Sequence, residues 1–363
     1  MDIQKTFRVI GLMSGTSLDG LDICYAAFDA GNDGWSYRIL QTQTVDYSET
    51  LRKQLANARH LSAYEYARLH SDYGLYLGQC VKDFMEEYEA CPDFIASHGH
   101  TIFHEPSVRF TAQIGSGAGI AAVSGVDCIC DFRTTDVASF GQGAPLVPVG
   151  DRLLFGLYDY CLNLGGFSNI SFEDDSSPSR RVAYDISPAN YVLNHYVRTI
   201  GRAYDAEGCL ARRGKVCVSL LDALNDLPYY QQQMPKSLGW EWVVAHVYPL
   251  IDAYELPLQD ILCTFCEHIA VQVSAAIKGG TVLLSGGGAH NTYLVERMQA
   301  LAPQCRLHVP DSETINFKEA LLFAFLGVLY VQNETNCLQS VTGARTNVVG
   351  GCLYKGLKKI QSL

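Results

Sequence analysis

The chain has 363 residues, 48% of them hydrophobic and 18% charged, so two domains with ordinary cores are expected. A formal net charge of -11 opposes sequence-independent nucleic-acid binding, which needs an excess of Lys and Arg. The thirteen cysteines are scattered and odd in number, and the longest apolar run, 320–331, is shorter than the roughly 20 residues of a membrane span. We therefore expect a cytoplasmic protein with reduced thiols and no membrane segment.

The first half of the chain alternates β-type and helical patterns. Apolar runs at 6–13 and 21–28 flank a turn of small residues and predict a hairpin. Apolar spacing over 48–88 predicts one or two helices, and strands at 94–97, 111–114 and 126–131 with a helix at 117–124 follow. This order predicts an α/β domain.

A second cycle of similar pattern begins at residue 160. Strands at 160–164 and 170–172 flank Gly165 and Gly166, and a polar turn at 173–181 precedes a strand at 182–186. A helix at 190–200, further helices to 277 and a strand at 281–284 complete the cycle. The recurring glycine-turn hairpin is explained either by a duplicated domain or by chance.

The turn in the first hairpin has the residue types that phosphoryl transfer requires. Its glycines let backbone N–H groups approach an anion, its hydroxyls add donors, and its carboxylates can hold water bound to Mg²⁺. An ordinary tight hairpin is the alternative. The segment is neither a Walker loop nor a dinucleotide fingerprint. The turn reads Gly15, Thr16, Ser17, Leu18, Asp19, Gly20, Leu21, Asp22.

Two later segments also have residue types suited to contacting a ligand. Gly286, Gly287 and Gly288 follow an apolar strand and let the backbone lie against a base or phosphate, although a simple strand-to-helix turn has the same pattern. Asp185 ends a short strand, where a carboxylate often faces the ligand crevice of an α/β protein and serves as a general base. A helix-capping role is its alternative.

Taken together, these motifs resemble the anhydro-N-acetylmuramic acid kinase family over nearly the whole chain. The opening signature is residues 11–22, and further matches follow in family order. They include Ser97 to Thr101 with His104 and Pro106, Asp131 to Arg133 with Asp136 to Ala138, residues 141–148 and 163–169, Asp205, Gly208, Ala211, Gly214, residues 235–237, Gly239, Glu241, residues 286–291, 318–320 and 341–344.

The resemblance implies a fold and a set of site residues. The fold is the α/β, two-domain actin-like ATPase fold of sugar kinases, related to ribonuclease H, with ATP in an interdomain cleft. One domain would comprise 1–140 plus about 345–363, and the other 141–344. Asp185 would be the catalytic residue. The phosphate turns would be Gly15 to Asp22 and Gly165–Gly166, with Gly286 to Gly288 near adenosine. Sugar-binding residues would be His98, Gly99, Thr101, Arg133, Asp136, Gln142, Asn169 and Glu319.

The implied reaction uses ATP and Mg²⁺ to open 1,6-anhydro-N-acetylmuramate and phosphorylate O6 during cell-wall recycling. Mg²⁺ would be held through water by Asp19 or Asp22. The expected partners are ATP and the sugar, without nucleic acid or membrane, and a homodimer stays open. The alternatives are another sugar or acyl kinase of this fold and an actin-like binding protein switched by nucleotide. The family's Thr-Gly-Pro-Gly after the aspartate is replaced by Ile-Ser-Pro-Ala at 186–189, so substrate choice stays open.

Three further patterns have plainer explanations. Cys263, Cys266 and His268 have metal-like spacing, but helical periodicity and the lack of a second cysteine pair favour buried thiols. His98, His100 and His104 lack an adjoining acidic or thiolate ligand, so a zinc site is disfavoured. Lys236 either reaches a phosphate or sugar carboxylate or is a solvated surface lysine.

Overall fold

A computed structural model describes residues 5–15, 18, 20–31, 34–174, 180–234 and 236–357. The chain forms two compact units, Met1–Leu154 with Phe317–Leu363, and Phe155–Asn316. We call them unit 1 and unit 2. These boundaries differ from the expected 140/141 and 344/345.

The boundaries lie where they do because two segments pack inside unit 1. Gly150 lies against Leu322, where an added Cβ would come 2.3 Å from Cδ2. Lys318 Nζ lies 2.8 Å from Asp151 Oδ1, and both side chains are buried.

The strands fall into two large sheets and one two-stranded sheet. In chain order they are β1 Thr6–Ser14, β2 Gly20–Gly31, β3 Gly34–Asp46, β4 Phe94–Ser97, β5 His100–Glu105, β6 Phe110–Ile114, β7 Cys128–Cys130, β8 Tyr160–Leu164, β9 Phe167–Glu173, β10 Arg181–Pro188, β11 Gly280–Ser285, β12 Cys305–His308 and β13 Cys352–Tyr354.

The helices cover the sheets. In chain order they are α1 Glu49–Ala56, α2 Ala63–Glu87, α3 Gly117–Ser124, α4 Thr134–Ala138, α5 Val147–Leu154, α6 Asn190–Arg198, α7 Val218–Asn225, α8 Trp240–Trp242, α9 Tyr248–Asp252, α10 Leu258–Ala276, α11 Thr292–Leu301, α12 Ser312–Val331 and α13 Gln339–Thr342. A π-helical turn, Val243–Val247, joins α8 to α9.

Unit 1 is built on a six-stranded sheet with the order β13-β7-β4-β1-β2-β3. β1, β2 and β3 are antiparallel, whereas β4 and β7 continue the sheet parallel to β1. The apolar runs that predicted the first hairpin therefore form β1 and β2, and the predicted helix at 117–124 is α3. Ser62 and Glu65 form a capping box that starts α2, which packs over the sheet's core.

Unit 2 repeats this strand order. Its five-stranded sheet runs β10-β9-β8-β11-β12, with β8, β9 and β10 antiparallel and β11 and β12 parallel to β8. In each unit the first three strands form a meander, and the next two strands of the sheet, β4 and β7 or β11 and β12, extend its other edge in parallel. In unit 1 the antiparallel β13 follows at that edge. The shared topology supports the duplication that the two glycine-turn hairpins suggested. The turn predicted at 173–181 falls largely on residues 175–179, which lie outside the described residues.

α12 packs in the core of unit 1 from Phe317 onward. An added Cβ at Gly11 would come 2.0 Å from the carbonyl oxygen of Ala320, so only glycine lets β1 approach α12 this closely. The Phe323 ring lies 4.6 Å from that of His98, and the Phe325 ring lies 5.4 Å from that of Phe28, both in tilted arrangements. Within the described residues, α12 is the one helix long and apolar enough to cross a membrane, and 72% of its apolar window is buried inside the protein. Its hydrophobicity is accounted for by this packing.

Candidate active site

A row of polar side chains crosses the sheet of unit 2. Asp185 on β10 pairs with Asn169 on β9, Asn169 pairs with Asn163 on β8, and Asn163 pairs with Ser285 on β11. Residues directly opposite each other on neighbouring strands project from the same face of a sheet. The row therefore places a carboxylate and two amides side by side on the face opposite the buried Leu162.

Only one oxygen of the Asp185 carboxylate accepts a hydrogen bond within the described residues. Its Oδ2 accepts a hydrogen bond of 2.9 Å from the backbone N–H of Leu238, and within the described residues no donor reaches Oδ1. Burial raises the pKa of Asp185, and the hydrogen bond from Leu238 opposes that rise. The backbone is held as well, because its N–H donates to the carbonyl of Lys236 at 3.1 Å and Tyr229 Oη donates to its carbonyl. One oxygen of a fixed carboxylate is thus left to accept a proton.

Lys236 is tied to its own neighbourhood. Its Nζ donates to the carbonyl of Tyr229 at 3.1 Å and lies 4.5 Å from the centre of the Tyr229 ring. Burial lowers the pKa of its ammonium. These contacts are more than a solvated surface lysine makes, and they brace the segment that supports Asp185.

The two glycine turns of unit 2 lie against each other at the end of β8. The Gly166 carbonyl accepts from the N–H groups of Ala189 and Tyr191, at the start of α6. Gly286 has a φ of 76°, and an added Cβ would come 2.3 Å from Asn163 Oδ1. Only glycine combines that left-handed backbone with so close an approach.

The remaining glycines differ in their surroundings. The carbonyl of Gly165 accepts a hydrogen bond from the N–H of Asn190. Gly288 packs on Leu164, because a Cβ added to Gly288 would come 2.8 Å from the carbonyl oxygen of Leu164. Gly287 is exposed, and the nearest atom to an added Cβ is 3.9 Å away, in Asn190. The structure therefore brings Asp185, Asn169 and both glycine turns into one neighbourhood, with Gly287 as the open position.

The three residues that depart from the family pattern, Ile186, Ser187 and Ala189, are buried. Ile186, Ser187 and Ala189 are at most 3% exposed, and a β-bulge separates Asp185 from Ser187. The hydroxyl of Ser187 lies 2.9 Å from that of Ser168, which also accepts from the Ser187 N–H at 3.1 Å. The exchange therefore changes internal packing behind the aspartate.

The first phosphate turn lies in unit 1 and is described only in part. Thr16, Ser17 and Asp19 lie outside the described residues. The carbonyl of Gly15 accepts a hydrogen bond of 3.2 Å from the N–H of Leu18. Gly20 begins β2, and a Cβ added to it would come 2.7 Å from the carbonyl oxygen of Val45. Asp22 Oδ1 accepts from Thr44 Oγ1 at 2.6 Å.

Ser14, directly before this turn, belongs to a buried hydrogen-bond chain that no local pattern predicted. Ser14 Oγ accepts from Tyr47 Oη at 2.7 Å and lies 3.0 Å from His100 Nδ1, while Tyr47 Oη lies 2.7 Å from Tyr73 Oη. Burial lowers the pKa of His100, which favours the neutral ring. The alternation of His100 along a strand was visible, but its distant partners were not.

His98 and Arg133 form a second polar cluster in unit 1. Both Nε and Nη2 of Arg133 lie within 3.1 Å of His98 Nε2, and His98 Nδ1 lies 2.9 Å from the Gly99 carbonyl. Because a guanidinium only donates, His98 must be neutral with its proton on Nδ1. Burial, reinforced by Arg133, holds the pKa of His98 well below its usual range, and burial lowers that of Arg133 to about 10. A cation facing Nε2 disfavours a metal there.

Asp136 is placed differently from a ligand-facing carboxylate. It is fully buried, its Oδ2 accepts from the Gly143 N–H at 2.7 Å, and its Oδ1 accepts from Thr342 Oγ1 at 2.8 Å. Gly141 packs on this carboxylate, since an added Cβ would come 2.1 Å from Oδ2. Asp136 thus fixes the 141–143 loop from inside, and the backbone N–H of Gln142 completes the link by donating to the Thr342 carbonyl at 2.7 Å.

The other expected sugar residues of unit 1 lie around these clusters. Gly99 has a φ of 72°, Thr101 Oγ1 accepts from Gln113 Nε2 at 3.4 Å, and the side chain of Gln142 is exposed. Glu319 is exposed, yet desolvation raises the pKa of its carboxyl, against the lowering effect of Arg133.

Two units of the same strand order, each with a glycine turn closing its first hairpin, define the two-domain actin-like ATPase fold used by sugar kinases. In one unit the partly unoccupied carboxylate of Asp185 lies at the bulge of β10, inside the strand and not at its end as expected. A sequence model for the family described as anhydro-N-acetylmuramic acid kinase matches residues 7–356. The chain belongs to this family.

Individual relatives agree with that assignment. The anhydro-N-acetylmuramic acid kinase of Gloeobacter violaceus is 34% identical, over 92% of this chain and 95% of its own. The anhydro-N-acetylmuramic acid kinase of Pseudomonas syringae pv. syringae is 32% identical, and the match covers 96% of this chain and 99% of that protein. Among solved structures, the activator of the 2-hydroxyisocaproyl-CoA dehydratase from Clostridium difficile with bound ADPNP has a TM-score of 0.41 and 11% identity, covering 91% of this chain and 97% of that one.

Proposed function

We propose that the protein uses ATP and water to open 1,6-anhydro-N-acetylmuramate and to phosphorylate its O6, giving N-acetylmuramate 6-phosphate and ADP. Membership of the kinase family supports the reaction class. The observation that carries the proposed chemistry is the carboxylate of Asp185, whose Oδ2 is fixed by Leu238 and whose Oδ1 has no donor within the described residues. A fixed carboxylate with one available oxygen is suited to general-base catalysis.

Asp185 would act on water. As water attacks the anomeric carbon, its proton passes to Asp185, and the bond from that carbon to the bridging oxygen breaks. The bridging oxygen, now O6, attacks the γ-phosphorus in line and releases ADP. The proton on Asp185 returns to solvent after the products leave, so the carboxylate is regenerated.

The glycine turns would hold Mg·ATP. Backbone N–H groups of the turn from Gly15 to Asp22 and of Gly166 would reach the phosphates, since the N–H of Gly165 already donates to the Phe167 carbonyl. Gly287 would leave open space for the adenosine. Asp22 supplies a hard carboxylate oxygen of the kind that Mg²⁺ favours through water, and Asp19 is the alternative in the same turn.

The sugar would be bound by the expected polar residues, with roles refined by their contacts. Asn169 lies next to Asp185, while Arg133 contacts His98 and acts electrostatically on Glu319. The others assigned here are Gly99, Thr101 and Gln142. We assign Asp136 to positioning the 141–143 loop, because both of its oxygens already accept hydrogen bonds inside the protein.

The enzyme is proposed to work in the cytoplasm on small molecules, without nucleic acid or membrane partners. A homodimer is compatible with the proposal. The two domains are proposed to correspond to the two compact units. The alternative is the division expected from the family resemblance, 1–140 plus about 345–363 and 141–344.

The test is turnover in ¹⁸O-water with the anhydro sugar and Mg·ATP, followed by mass spectrometry. One heavy oxygen at C1 and none in the phosphate is the expected product, because water attacks carbon and the bridging oxygen becomes O6. The opened sugar exchanges its anomeric oxygen with solvent, so early samples are compared with unlabelled product placed in the same water. Label no higher than in that control, or a bicyclic sugar phosphorylated on another hydroxyl, would reject coupled opening.

A further inference from the structure

A recess on the surface of unit 2 has a volume of about 190 Å³ and is lined by Tyr191, His195, Arg198 and Trp240. The first three lie on α6 at positions i, i+4 and i+7, which share one face of a helix. Trp240 begins α8 and faces them. We call these four residues the α6–α8 recess.

Aromatic packing builds the walls of the α6–α8 recess. The Trp240 ring lies 5.5 Å from that of Tyr191 and 5.7 Å from that of Tyr248, both edge-on. His195 stacks on Tyr248 with 4.1 Å between ring centres. Trp240 nevertheless remains 46% exposed, so an indole surface is held in place and left accessible. Such a surface is suited to the apolar face of a sugar.

Arg198 gives the α6–α8 recess a positive charge. It is exposed, and no acidic side chain within the described residues forms an ion pair with it. Its position in the last turn of α6 is favourable for a cation near the helix C-terminus, which accounts for the charge but not for an aromatic recess beside it. A guanidinium next to an indole offers a carboxylate both charge and two parallel donors.

Two sets of contacts link the residues of the α6–α8 recess to the residues around Asp185. Leu238, whose N–H donates to Asp185 Oδ2 at 2.9 Å, is two residues before Trp240. Tyr191 donates its N–H to the Gly166 carbonyl at 3.2 Å, and its ring lies 2.4 Å from where a Cβ on Gly166 would be. Leu238 and Tyr191 therefore connect the α6–α8 recess to the residues that hold Asp185 and the Gly165–Gly166 turn.

We propose that the α6–α8 recess is a subsite for the acidic side arm of the sugar, with Arg198 pairing with its carboxylate and Trp240 packing against its apolar part. The inference rests on the proposed function, because muramic acids carry a carboxylate on an ether arm. The volume of about 190 Å³ is below the roughly 300–1,000 Å³ of pockets that enclose a whole ligand, so it fits one substituent. This subsite would select acidic over neutral anhydro sugars.

The experiment compares 1,6-anhydro-N-acetylmuramate with 1,6-anhydro-N-acetylglucosamine, which has the same bicycle and a hydroxyl in place of the acidic arm. Binding is measured by tryptophan fluorescence without ATP, and turnover by ADP release. For Arg198→Gln we expect about 10- to 100-fold weaker binding of the acidic sugar and little change for the neutral one. Trp240→Phe should weaken the binding of both sugars, by a smaller factor than Arg198→Gln weakens binding of the acidic one. The matched control is Arg202→Gln, which changes an exposed arginine of the same unit.

The outcomes separate this subsite from the proposed function. Wild-type turnover of the acidic sugar with an unchanged preference in Arg198→Gln would overturn the subsite and leave the kinase reaction standing. Failure of the wild type to phosphorylate either sugar would reject the reaction, and the fluorescence titration would still decide whether Arg198 selects the carboxylate. Equal loss for both sugars in Arg198→Gln would indicate disturbed folding and would count against a carboxylate contact.

Discussion

Replacing Asp185 with Asn tests the proposed base with little disturbance of the structure. The two side chains have nearly the same volume, and the amide oxygen of Asn can still accept the 2.9 Å hydrogen bond from the Leu238 N–H. What is lost is an oxygen able to take a proton. General-base assistance contributes about 10²- to 10⁴-fold, or about 3 to 5 kcal/mol of barrier. We therefore expect kcat to fall by that factor while Mg·ATP binds normally.

The assay measures ADP release with saturating sugar and, separately, Mg·ATP affinity by calorimetry. Asp222→Asn, an exposed aspartate of the same unit, serves as the control. An Asp185→Asn enzyme that keeps more than about a tenth of the wild-type rate would refute the role of general base. A matching loss of Mg·ATP affinity would instead assign the carboxylate to nucleotide binding.

The raised pKa of Asp185 gives the same variant two pH signatures. The base works only when ionised, so the acid limb of kcat/KM, which reports the free enzyme, should lie above the ordinary aspartate value of about 3.9. Because folding favours the protonated form, the ionised carboxylate costs stability above the folded pKa, and that cost disappears as the pH falls through it. Asp185→Asn should therefore have a higher Tm than the wild type at neutral pH and no advantage in acid. A lower Tm at neutral pH would contradict burial as the cause.

Two further substitutions test the packing around the site. Asp136→Ala leaves the Gly143 N–H and the Thr342 hydroxyl without their buried acceptor and should cost about 2–4 kcal/mol in urea unfolding, whereas Asp136→Asn can bond to both and should cost less. Equal costs would show that the two hydrogen bonds contribute little. Gly166→Ala places a methyl group 2.4 Å from the Tyr191 ring and should cost about 1–3 kcal/mol, part of which Tyr191→Leu recovers. Strict additivity of those two changes would argue against the clash.

The elements that the sequence predicted well are those whose patterns are local. The first hairpin, α3 and β4 follow from apolar runs bounded by turn residues, and their bounds agree to within a few residues. Strand β3, Gly34–Asp46, was not predicted. Its residues alternate between more and less exposed positions with many polar groups, so the period of two was present without the hydrophobicity that makes a strand conspicuous.

Site residues followed the same rule. The glycines at 286–288 could be recognised because a turn after an apolar strand is a local pattern, and the structure places them beside Gly165 and Gly166. Whether Asp136 faces a ligand or the protein interior depended on Thr342, 206 residues away, and no spacing along the chain could reveal that contact. A carboxylate has the same identity in sequence whether its partner is a sugar hydroxyl or a backbone N–H.

The departure at 186–189 has a different meaning once its position is known. Ser187 and Ser168 bond to each other in the interior, so the hydroxyl introduced at 187 has an internal partner and need not contact the sugar. Ala189, fully buried, still donates its N–H to the Gly166 carbonyl and so keeps the link between the second phosphate turn and α6. These contacts explain how the base can keep its place although the residues after it changed. Differences in substrate choice would then arise at exposed positions such as Arg198 and Trp240.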